Sequence, residues 1–194
     1  MIPLAAKVGF SIWLLVWLSI MLQPVGPQNF FWLCNAAMFL IVIALWTENR
    51  MILSSQAGTV VLVGVVWTAD LLLGLVVGGS VTGFTAYMFD DTLPLLLRLS
   101  SLYHVGLPPF TLYVLWRIGY DPRAWRLQCI IGAVMVVGAW LLTEPYRNVN
   151  WVHQPFGLEQ PPLPVALWVL VLVCVYPVLI YFPGHLLVSR LLGR

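Results

Sequence analysis

Three ionisable residues, Asp70, Arg98 and His104, stand inside otherwise apolar runs, and His185 lies close to the end of another. Inside a bilayer such a side chain costs about 3 kcal/mol or more unless it is paired, so each is a functional candidate. A histidine oriented by a carboxylate is the general-base half of a nucleophilic site. The same pair is equally a lock between two helices. Asp70 and His104 are the residues for either role. Arg98 is a third member, or a side chain that snorkels outward to Asp90 or Asp91. Cys34, beside Asn35, is the first choice of nucleophile, because a thiol needs a nearby base to become the reactive thiolate. Ser100 is the second choice, four residues before His104 and on the same helix face.

The element that must position these residues is a membrane-spanning helix. Of the 194 residues, 61% are hydrophobic and 8% charged, and the mean hydropathy is +0.96. An ordinary soluble domain carries about 25% charged residues. This chain lacks the polar side chains to cover a surface in water. A soluble enzyme, a disordered tail and a nucleic-acid-binding domain are excluded together, and a net charge of +2 defines no partner. The reading is an all-α polytopic membrane protein whose contacts are membrane lipid and other membrane subunits. A bilayer core about 30 Å thick needs roughly 20 apolar residues per helix. By that ruler there are about six spans, at 4–22, 30–46, 60–79, 93–116, 127–143 and 164–187. All 194 residues form one transmembrane domain, without an evident repeat. The first span has only Lys7 before it and no small-x-small cleavage site after it, so it reads as a retained helix.

An even number of spans puts both termini on one side. With them lie Lys7, Arg50, Arg117, Arg123, Arg126, Arg190 and Arg194, seven of the nine basic residues. That bias, counted over short loops, predicts cytoplasmic termini. Asp90, Asp91, Glu144 and Glu159 fall on the outer side. Several of the ten tryptophans, including Trp32, Trp46, Trp116 and Trp151, sit at span ends as an interfacial belt.

Counting rise per residue from the outer ends places Cys34 roughly 6 Å deep, Arg98 roughly 8 Å, Asp70 roughly 13 Å and His104 roughly 17 Å. Asp70 and His104 then share a depth on consecutive antiparallel helices. Cys34 falls about 11 Å short of His104, too far for contact unless the fourth span tilts or begins as a re-entrant turn. Pro108 and Pro109 should free backbone carbonyls and open a cavity beside His104. The three cysteines, Cys34, Cys129 and Cys174, have no metal or disulfide spacing, and no metal or cofactor is expected.

The run Trp32-Leu33-Cys34-Asn35 early on the second span and Leu102-Tyr103-His104-Val105 on the fourth resemble the androgen-induced membrane hydrolase and ether-phospholipid acyltransferase group. The outer-loop run Asn148-Val149-Asn150-Trp151 and the ending Tyr181-Phe182-Pro183 are similar to uncharacterised bacterial multi-pass proteins. In that group a Thr or Cys nucleophile and a His on separate membrane helices act on lipid acyl esters. The resemblance spans roughly residues 30–187 and implies Cys34 as nucleophile and His104 as base. Arg98, Asn35, Asn150 and Trp151 are then substrate-contacting or structural.

Overall fold

Long apolar runs, punctuated by Pro, Gly and short polar stretches, fold into helices in the computed structural model, which describes residues 1–154 and 163–193. Among these residues there are eight α-helices and no strand. They are α1 (Leu4–Val25), α2 (Leu33–Thr47), α3 (Arg50–Val77), α4 (Leu95–Ser100), α5 (Tyr103–Ile118), α6 (Ala124–Leu142), α7 (Val165–Tyr176) and α8 (Phe182–Leu191). A π-turn, Pro177–Tyr181, joins α7 to α8 within one continuous rod. Four rods are long and apolar enough to cross a bilayer: Leu4–Val25, Arg50–Val77, Ala124–Leu142 and Val165–Leu191. Their outward residues, such as Leu75, Val76, Ile130, Leu141, Leu170 and Val178, are apolar and exposed. The chain is an all-α integral membrane protein.

The two remaining expected spans are shorter. Helix α2 has 15 residues and α5 has 16, about 23 Å each against a core of about 30 Å. A 3-10 turn at Pro27–Phe31 precedes α2, and α4 precedes α5. The largest revision is to the third span. The expected start near residue 60 moves to Arg50, because Asn49 caps the helix by accepting from the Ile52 amide at 3.1 Å. Ser54, Ser55 and Gln56 are therefore helical and buried rather than a lead-in.

Helix α3 is the centre of the bundle, packing against α2, α5, α6 and α8. One core joins α1, α2, α3 and α5 through Trp17, Met38, Ile41, Leu53 and Leu115. A second joins α6, α7 and the 3-10 turn at Val149–Trp151 through Val136, Val149, Leu172 and Tyr181. Gln56 bridges α3 to α6 by donating to Gln128 Oε1 at 3.0 Å. Backbones approach closely where side chains vanish. Gly58 of α3 lies against Gly184 of α8, and Gly64 lies against Pro108 and the His104 carbonyl of α5.

Hydrogen bonds sort the ends of the bundle. At what we call the N-terminal end, Lys7 pairs with Glu48 at 2.7 Å, the Asp121 amide donates to Ser54 at 3.0 Å, and Tyr120 bonds His185 at 2.7 Å. At the far end, Arg147 donates to the Val25 carbonyl and the Glu144 amide donates to Gln28.

Candidate functional site

Helix α5 does not begin where hydropathy alone would start it. After α4, Ser101 and Leu102 form a tight turn, their amides donating to the carbonyls of Arg98 and Leu99 at 3.0 Å each. Helix α5 then starts at Tyr103, which makes His104 its second residue. Cys34 is likewise the second residue of α2, and both helices run from the far end. The first turns of α2 and α5 are brought together by their neighbours Asn35 and Tyr103, which hydrogen-bond at 2.6 Å.

Around these positions the first turns of α2 and α5 share a polar cluster. The Tyr103 hydroxyl donates to Asn35 Oδ1 at 2.6 Å, and Asn35 Nδ2 donates to the Asn29 carbonyl at 2.8 Å. The Cys34 thiol lies 3.9 Å from Asn35 Oδ1 and within hydrogen-bonding reach of Tyr103. The Tyr103 ring stacks on His104 with centroids 4.0 Å apart, and Trp67 of α3 stacks on His104 at 4.8 Å. His104 Nδ1 lies 2.9 Å from the Ser101 carbonyl. A carbonyl only accepts, so Nδ1 carries the proton and Nε2 keeps the basic lone pair.

The prolines act as expected on the backbone. Pro108 has no amide to give the His104 carbonyl four residues earlier. The space beside that carbonyl is taken by the protein, however. A Cβ on Gly64 would lie 2.8 Å from the His104 oxygen and 2.5 Å from Pro108 Cγ. The expected cavity is thus filled by Gly64.

Asp70 is placed elsewhere than the His104 pairing requires. Its carboxylate accepts five hydrogen bonds from the loop after α3: from Ser80 Oγ, the Val81 and Thr82 amides, and the amide and hydroxyl of Thr85. These satisfy both oxygens at 2.6–3.0 Å. The anchored loop carries Tyr87, whose hydroxyl accepts from Trp67 Nε1 at 3.1 Å and hydrogen-bonds Ser101. Asp70 thus reaches the cluster through a loop rather than by contact.

The other expected residues sort plainly. Ser100 donates to the Leu97 carbonyl at 2.7 Å and faces Met21 of α1, and the break at 101–102 separates it from the helix of His104. Its expected contact with His104 is replaced by that of Ser101. Arg98 turns outward to Asp91 at 3.0 Å and the Met88 carbonyl at 3.1 Å. Asn150 fastens three elements. It accepts from the Leu33 amide, donates to the Phe31 carbonyl, and accepts on its own carbonyl from Tyr176. Trp151 accepts from Trp168 on its carbonyl and packs edge-on to Trp32 and Phe84. Asn148, Asn150 and Trp151 hold left-handed backbone, with φ of 46°, 52° and 61°, conformations that persist only when surrounding bonds impose them.

Sequence reasoning missed Tyr103, Trp67, Tyr87 and Ser101. Tyr103 had a signal, adjacency to His104. Trp67 and Tyr87 had none, because Trp67 meets His104, and Tyr87 meets Trp67, only through the packing of α3 and its loop.

A groove of about 470 Å³ lies between α2 and α6, lined by Phe31, Ala36, Leu40, Ile131 and Val134 among others. It opens on the α6 side of α2. Cys34 packs with the core on the α1 and α5 side, so the groove and the cluster are on different faces.

Among the described residues no group of three His, Cys, Asp or Glu side chains could hold a metal ion. Compared with protein-family models, with curated proteins and with solved structures, the chain finds no match.

Proposed function

We propose that this integral membrane protein is a lipid acyl hydrolase or acyltransferase acting through Cys34 and His104. The observation that carries the reading is their placement: each is the second residue of a helix that starts from the far end. They meet one polar cluster through Tyr103. His104 Nε2 takes the Cys34 thiol proton as sulfur attacks the carbonyl carbon of an acyl ester. The ester C–O bond breaks, the alcohol leaves with the proton from His104, and a thioester remains on Cys34. Water resolves the thioester in a hydrolase, and a second alcohol resolves it in an acyltransferase.

The reading is tested with an electrophile bearing a long alkyl chain, applied to the protein in detergent. Labelling is expected at Cys34, to vanish in Cys34→Ala, and to fall at least tenfold in His104→Phe, which keeps a flat ring between Trp67 and Tyr103. Equal labelling of His104→Phe and wild type overturns the dyad.

A second reading is favoured by the stacking of His104 between Trp67 and Tyr103. On it the cluster only locks α2, α3 and α5, in a subunit or assembly factor of a larger membrane complex. It predicts that His104→Phe changes neither labelling nor melting temperature, and that a stoichiometric partner co-purifies in mild detergent. The basic N-terminal end suggests that this end faces the cytoplasm of a bacterial inner membrane. Reporter fusions to the 119–123 loop test that placement.

A further inference from the structure

The N-terminal end of the bundle carries more positive charge than its own carboxylates neutralise. Among the described residues it holds Lys7, Arg50, Arg117, Arg123, Arg126 and Arg190 against Glu48 and Asp121. Lys7 is taken by Glu48. Asp121 binds Arg123 at 3.0 Å and has Arg50 at 3.9 Å. Arg117, Arg126 and Arg190 are exposed and have no carboxylate partner among the described residues.

One of these arginines, Arg126, flanks an aromatic corner between the start of α6 and α8. Trp125 meets Phe182 edge-on at 5.5 Å, and His185 lies among Tyr120, Trp125 and Phe182 with centroids 5.6, 6.5 and 6.0 Å away. The Arg126 guanidinium sits 5.8 Å from the Trp125 ring. Arg190 follows His185 on α8 by about 7 Å of helix rise toward the same end. Apolar rings that end in Tyr and Trp mark the level of lipid headgroups. Unpaired arginines at that level meet phosphate groups.

We propose that Arg126 and the Tyr120–Trp125–Phe182–His185 corner bind the headgroup phosphate of an anionic phospholipid, with Arg190 adding positive charge at the same end. The charge excess selects an anionic over a zwitterionic lipid, because each basic residue near such a surface contributes about 1 kcal/mol, roughly fivefold in affinity. The tryptophan and phenylalanine rings contact the glycerol and upper acyl region, and the Arg126 guanidinium takes the phosphate. This assignment is independent of chemistry at Cys34.

The test measures melting of the full chain in neutral detergent with added phosphatidylglycerol or phosphatidylcholine of equal chain length. Phosphatidylglycerol is expected to raise the melting temperature above the phosphatidylcholine value. The apparent affinity for it should fall about fivefold in Arg126→Gln and in Arg190→Gln, and about 25-fold in the double variant. Raising sodium chloride from 0.1 to 1 M should remove the increment from the wild type, which needs no variant to fold. Equal shifts from the two lipids overturn the proposal, as does a double variant with the wild-type increment. Inorganic phosphate reproducing the whole increment overturns the commitment to a lipid.

Discussion

At the residue scale, some groups are set by neighbours a few positions away and others by distant packing. Asp121 shows the first case. It lies between α5 and α6, buried, and accepts from the Arg123 amide and both sides of its guanidinium at 3.0–3.1 Å. The Arg123 bond, helped by the charge of Arg50, holds its pKa down to about 2 from an ordinary 3.8. A carboxylate with a depressed folded-state pKa stabilises the fold above its unfolded value, and that contribution is lost as pH falls through the folded one. Stability should therefore be flat in this contribution above about pH 4 and decline between about pH 4 and pH 2. Melting curves of wild type and Asp121→Asn in the same detergent check it: the variant should lack that part of the decline. His104 shows the second case. Its intramembrane position was legible in the sequence, but its orientation depends on Ser101 and on the distant Trp67, which hydropathy cannot pair.

At the element scale, the loop after α3 is held by one side chain. Asp70 collects five donors from residues 80–85, and Tyr87 of the same segment ties to Trp67 beside His104. Asp70→Asn keeps the shape but replaces an acceptor oxygen by a donor facing donors. Hydrogen bonds to a charged group contribute about 1.5–3 kcal/mol each, so the loss should be roughly 2–4 kcal/mol. Limited proteolysis between residues 80 and 92 should accelerate before the bundle itself is cut. If Tyr87 positions the cluster through Trp67, Cys34 labelling should fall with it. The helices, and the prolines and glycines that break several of them, were legible from apolar runs, whereas the Asn49 cap that starts α3 at Arg50 was not. The division of the fourth span into α4 and α5 was not, since Ser101 and Leu102 carry no breaking signature. That two-residue turn supplies the Ser101 carbonyl that orients His104.

At the scale of the whole molecule, two apolar cores meet along α3, and their contact includes the buried Gln56–Gln128 hydrogen bond. Interhelical polar bonds in lipid average about 0.6 kcal/mol and reach about 1.7 kcal/mol. Gln128→Leu should cost about 1 kcal/mol by leaving one Gln56 N–H without its acceptor while Ser55 keeps the other, and the double substitution to leucine should recover most of it. A double-mutant cycle on melting in detergent reads the difference. The charges divide in the same end-to-end sense, with arginine in excess at the N-terminal end and Asp90, Asp91 and Glu144 at the far one. The rod of α7 and α8 spans both, and its π-turn sets their relative phase. A π-turn holds one residue more than the α-turn it replaces, and one residue is about 100° of rotation. Deleting a single residue between 177 and 181 would leave a rod still long enough to cross the bilayer. Within the π-turn that loss closes an ordinary α-turn and keeps Gly184 on Gly58 and His185 beside Tyr120, whereas a deletion in the α-helical turns on either side would swing both away by about 100°. In this span the reading frame of the helix face, rather than its length, is what an insertion or deletion would have to respect.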